Sequence, residues 1–123
     1  MALQLDSPTG GNVIHRVEPG CVWVNGQAWT QSVLVPWDGP VRPWAPARFE
    51  DLQAEHFDAL LTPKPELVLF GSGSRLRFPH PRLYQGLVKA GIGLDSMDLG
   101  AACRTFTVLT SEHRQVTVAL LLA

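Results

Sequence analysis

The chain holds 123 residues, 46% of them hydrophobic and 17% charged, enough apolar material for one core and too little charge for a disordered acidic or basic tail. Ten Lys plus Arg stand against eleven Asp plus Glu, a formal charge of -1 that argues against a dedicated nucleic-acid surface. One domain over 1–123 is expected, with 1–11 as a flexible N-terminus; Met1 to Gly11 has no basic run leading into an apolar stretch, so no targeting signal is read there and a cytoplasmic location is expected.

Three short strands open the pattern: Val13 to Val17, Cys21 to Val24 and Ala28 to Val35. Pro19-Gly20 and Asn25-Gly26 separate them and supply the backbone freedom of tight turns, so the spacing predicts a β-meander. Residues 36–47 carry four prolines and two tryptophans, which predicts a connector that cannot join a ladder. Phe49, Leu52, His56, Phe57, Leu60 and Leu61 recur at helical spacing, predicting one amphipathic helix from Arg48 to Leu61.

Leu67 to Phe70 reads as a strand covered on both faces, entered after Pro65 and closed by Gly71. Pro81 suits a first helical turn, with Leu83, Leu87 and Val88 as the apolar face and Gly91 as the stop. Leu94 to Met97 is a further short strand. Asp98 is placed to cap a helix whose buried stripe is Leu99, Ala102, Cys103, Phe106 and Leu109, and Gln115 to Leu122 is the last strand. The expected architecture is α/β: a three-layer domain with a mixed central sheet, an N-terminal β-meander and then α-β-α-β-α-β. The longest apolar run, Val116 to Ala123, is too short to span a bilayer.

Ligands of open α/β sheets bind beyond the carboxyl ends of parallel strands. If the strands before Gly71 and Asp98 are neighbours, their loops share a rim gathering Ser72, Ser74, Arg75, Asp98 and Arg104. Gly71 to Lys89 also holds Arg75, Arg77, Arg82 and Lys89 without an acid, so the segment can attract an anion. The familiar signatures fail. The sixth position of GxGxxG is Leu76, no GxxxxGK string occurs, and Phe70 and Ser74 replace the glycines of GxSxG. The four histidines are scattered and the two cysteines form no CxxC, so no metal site and no cofactor is expected, and Cys21 and Cys103 read as structural thiols. Each rim feature also has a structural reading: Gly71-Ser72-Gly73 as a turn, Asp98 as a cap, Arg104 as a partner for Asp98 or a carbonyl. Trp37 and Trp44 are candidate partner-binding residues or cover for the core edge.

Three strings resemble a family of small proteins of unknown biochemical function, whose eukaryotic members include a mitochondrial assembly factor of respiratory complex I and an adipogenesis-associated protein. They are Val24-Asn25-Gly26 with Ser32, Pro65 to Gly73, and Met97 to Phe106. The resemblance implies a three-layer α/β domain with a mixed sheet, and an accessory protein acting through protein contacts rather than catalysis. Leu99 and Thr107 depart from the family's usual residues, which weakens any polar role at those positions. The expected function is therefore a non-enzymatic interaction or assembly-accessory domain with an unidentified protein partner. The alternative is a small-molecule or anion-binding domain, or a weak enzyme, using the rim of Gly71 to Arg75 and Asp98 to Arg104.

Overall fold

The computed structural model describes residues 11–123; most of the segment expected to be flexible, residues 1–10, lies outside them. A small antiparallel sheet comes first, ordered β1 (Ile14–Glu18), β2 (Cys21–Val24) and β3 (Gln27–Trp29). Asn25 and Gly26 both take positive φ, 52° and 85°, the two-residue turn that brings Val24 opposite Gln27. Asn25 is fixed there by its side chain, which accepts from the Val13 N–H at 2.8 Å and donates to Asn12 Oδ1 at 2.8 Å.

The strand expected over Ala28 to Val35 is in fact two. After Trp29 the chain leaves the small sheet, and β4 (Val33–Pro36) enters a second, five-stranded sheet. Exposed Thr30 and Gln31 mark the break, because β4 is buried throughout whereas β3 is mostly exposed. The proline-rich connector also differs from expectation. Arg42 and Pro43 form a two-residue strand β5 against β4, and Pro43 is tolerated because β5 lies at the sheet edge.

The five-stranded sheet runs β5, β4, β8 (Val116–Leu120), β6 (Leu67–Gly71), β7 (Gly93–Met97). β8 is antiparallel to β4 and parallel to β6, and β6 is parallel to β7. This is the mixed sheet expected, with the three segments at Leu67, Leu94 and Val116 side by side. One face packs α3 (Leu99–Ser111) and the small sheet, through Val22, Val24, Val118, Leu120, Ala102 and Phe106. The other packs Trp44, Phe57, Leu60, Phe70, Leu87 and Leu121 beneath α1 (Ala54–Asp58), α2 (Gln85–Lys89) and their flanking turns. Alternate residues of β8 serve the two cores, Val116, Val118 and Leu120 one way and Ala119 the other, with Leu121 just past the strand continuing the alternation.

The single helix expected over Arg48 to Leu61 is broken into a 3-10 turn at Phe49–Asp51, α1, and a second 3-10 turn at Ala59–Leu61. Leu52 and Gln53 are extended, and Gln53 starts α1 afresh in a reciprocal cap, its N–H donating to His56 Nδ1 at 2.9 Å. Trp44 Nε1 donates to the His56 carbonyl at 3.0 Å, tying α1 to the core beneath it. The apolar spacing persists because Leu52, Phe57 and Leu60 are buried whatever the backbone between them does. The segment opened by Pro81 likewise begins as a 3-10 turn (Pro81–Tyr84) before α2, and Val88 faces solvent rather than the core.

Candidate functional site

Gly71 of β6 and Met97 of β7 are register partners, so the segments that follow them leave the sheet side by side. They are stitched together at once: the Ser72 N–H donates to the Met97 carbonyl and the Leu99 N–H to the Gly73 carbonyl, each at 2.8 Å. Two shallow hollows flank the Gly73-Ser74 loop. One, of about 300 Å³, lies between Asp98, Gly100 and Ser74 and the Glu18-Pro19-Gly20 turn of the small sheet. The other, of about 210 Å³, is walled by Ser74, Arg75, Arg77, Arg48, Phe49 and Glu50.

Ser72, read from the sequence as a ligand contact, is 3% exposed and is committed to the loop itself. Its Oγ donates to the Arg75 carbonyl at 2.7 Å, with the Met97 carbonyl at 3.1 Å, and accepts from the Arg77 N–H at 2.9 Å. A hydroxyl with those partners organises the loop, its one proton and one of its two lone pairs being taken up by the backbone. Ser74 and Arg75 are exposed on the walls of the hollows.

Asp98 is the N-cap of α3, its Oδ1 accepting from the Ala101 N–H at 2.9 Å. Arg104 is exposed and folds back toward the helix start, the direction helical side chains take, where its guanidinium lies along Gly100. A Cβ at Gly100 would be 3.1 Å from Arg104 Nη1. No ion pair joins Arg104 to Asp98 among the described residues, so the two are neighbours without being partners.

Trp44 is 5% exposed, its ring edge-on to Phe57 at 5.8 Å and to Phe70 at 6.1 Å. It packs as cover for the core, while its edge lines a further hollow of about 370 Å³ with Ser32 and Leu122. Trp37 is half-buried beside a separate hollow of about 190 Å³ with Asn12, Asp38 and His113. The two tryptophans therefore do not form one patch.

Sequence reasoning missed Glu50 and Phe49. Arg77 Nη1 donates to Glu50 Oε2 at 2.8 Å and its guanidinium lies 5.3 Å from the Phe49 ring. The backbone N–H of Glu50 and then the Arg77 guanidinium hold the Glu50 carboxyl below its ordinary range. No local signal connects residues 49–50 with 77; only the packing of the α1 layer brings them together. Among the described residues no group of three His, Cys, Asp or Glu side chains is placed to hold a metal, and no serine or cysteine is hydrogen-bonded to a histidine.

Residues 14–121 match the protein family of unknown function DUF498/DUF598. A Danio rerio protein named NADH dehydrogenase [ubiquinone] 1 alpha subcomplex assembly factor 3 is 30% identical over 117 residues, 92% of this chain and 66% of its own length. A Francisella tularensis protein named 13 kDa major membrane protein is 32% identical over 72 residues, 56% of this chain and 58% of its own. The chain thus spans less than two thirds of the length of these relatives. A crystal structure of a Bordetella parapertussis protein superposes with a TM-score of 0.85 at 31% identity, covering 94% of this chain and 98% of that one.

Proposed function

Given that the chain belongs to the DUF498/DUF598 family of unknown function, we propose that it is an accessory domain that works in the cytoplasm by docking to another protein during assembly, without chemistry of its own. The observation that carries this reading is the likeness to a protein named as an assembly factor over 92% of the chain. The rim supports it in physical terms. Ser72 and Asp98 are committed to backbone groups and Arg77 to Glu50, so the strand ends present a braced surface with Ser74 exposed between two hollows. Such a surface receives a segment of a partner more readily than it activates a substrate, because activation needs a nucleophile and base within hydrogen-bond reach.

A photo-crosslinking residue at Ser74, introduced into the tagged protein in its native host, tests the proposal. The expected result is one or a few protein adducts that are absent when the crosslinker stands at exposed Glu112, beyond the far end of α3. Identical adduct patterns from the two positions would overturn it. A second reading, an anion held at the rim, draws on the exposed Arg75 on the wall of the smaller hollow. It predicts saturable binding of inorganic phosphate that Arg75→Ala abolishes.

A further inference from the structure

Two apolar side chains project from the loop that follows the rim. Phe78 is 71% exposed and Leu76 50%. Arg77 between them turns the opposite way, onto Phe49 and Glu50, so Leu76 and Phe78 leave the chain on its outer side. The loop cannot collapse to hide them. Ser72 Oγ grips the Arg75 carbonyl and the Arg77 N–H on either side of Leu76, and Pro79, directly after Phe78, is buried. Their exposure is built into a braced loop rather than left over from a loose one.

Along the chain the charge beside them has one sign, the nearby acid of the α1 layer, Glu50, being taken up by Arg77. Arg75 and Arg82 flank the pair, both exposed and, among the described residues, neither in an ion pair, and the chain from Gly71 to Lys89 contains no acidic residue. Only Arg77 is neutralised, by Glu50. An aromatic and an aliphatic side chain held outward between free cations is the chemistry that enters the headgroup boundary of an anionic bilayer, the rings and chains going in while guanidinium groups stay with the phosphates.

We propose that the loop from Arg75 to Arg82 seats on an anionic lipid surface, with Leu76 and Phe78 inserted and Arg75 and Arg82 paired with lipid headgroups. A lipid surface fits better than a protein groove because the feature is convex and small. A specific protein interface buries about 800 Å² on each partner, whereas a bilayer asks only for protruding apolar groups and positive charge. The inference does not depend on the protein-docking reading, since lipid alone tests it.

Flotation of the full chain with vesicles of phosphatidylcholine, and of phosphatidylcholine with about 30% phosphatidylserine, is the experiment. Binding is expected to the anionic vesicles only, and to fall at high salt as the charges are screened. Arg75→Gln with Arg82→Gln should weaken it by about thirtyfold, and Leu76→Ser with Phe78→Ser by about tenfold or more, with the thermal midpoint unchanged because all four side chains face solvent. Equal binding to both vesicle types, no binding to either, or variants that bind like the parent would overturn the proposal. Retention on an immobilised glutamate- and leucine-rich peptide without vesicle binding would overturn it too, and would assign the loop to a protein partner.

Discussion

Gly71→Ala tests how closely α3 sits on the sheet. Gly71 ends β6 beneath the helix, and an added Cβ would meet Leu120 Cδ2 at 2.6 Å and Ala102 Cβ at 3.2 Å. Neither neighbour has space to retreat, since Leu120 and Ala102 are both fully buried in the same core. Overpacking of this kind costs about 1–3 kcal/mol, and the loss of glycine's freedom in the unfolded chain returns ~0.4–1 kcal/mol. A net destabilisation of about 1–2 kcal/mol is expected, which at a urea dependence of ~2 kcal/mol per molar lowers the unfolding midpoint by roughly 0.5–1 M. The decisive measurement adds Leu120→Ala. That change alone costs about 2–5 kcal/mol, but it removes the colliding methyl and leaves only the 3.2 Å approach to Ala102 Cβ, so Gly71→Ala should cost clearly less in its background than in the parent. If Gly71→Ala destabilises equally in both backgrounds, the close approach of Leu120 is not the reason for glycine, and the argument fails.

Asp98→Ala should cost about 0.5–2 kcal/mol as a lost cap, while Arg104→Ala, on an exposed side chain without an ion pair, should shift stability by less than about 0.5 kcal/mol; a double-mutant cycle coupling them by more than that would contradict the geometry. Burial pushes the Cys103 thiol up to about 12, so a thiol reagent at pH 7–8 should modify half-buried Cys21 and leave Cys103 until the chain unfolds. Glu66 accepts from Arg114 Nε at 2.8 Å and from the Gln115 N–H at 2.9 Å, and these bonds lower its carboxyl below the ordinary 4.5. Its contribution is then complete above that ordinary value and lost as pH falls through the lower folded value, so Glu66→Gln should flatten the acid limb of stability measured by denaturant titration.

What could be read in the sequence was what period and local chemistry encode. The continuous apolar runs at Leu67 and Val116 and the capping chemistry at Asp98 located β6, β8 and α3, and from them the rim where two parallel strands end. Where the outcome differed, the deciding interactions were mostly distant in sequence. The local Gln53–His56 cap breaks a segment whose hydrophobic spacing alone reads as one helix, and the distant Trp44 Nε1 holds α1 by the His56 carbonyl. The split of the third strand rests on Val33 meeting Leu120, a pairing no window around Ala28 contains. At the rim, Ser72 was located correctly, but its three backbone partners, including Met97, decide that its hydroxyl serves the loop. Glu50 belongs beside Arg77 only because the α1 layer folds over the sheet.

The position of β8 bears on how the chain comes to be folded during synthesis. Of the described strands it is the last to be made, and it lies between β4 and β6, with Val33 paired to Leu120 and Leu67 to Val116. A ribosome that has released everything up to Gln115 has therefore produced two halves of a sheet with no seam between them, and both cores still lack the strand they share. Contacts so far apart in sequence are slow to form. A nascent chain of this kind waits with its Val- and Leu-rich strands unpaired, the state most exposed to proteases and aggregation, and becomes protected in one late step.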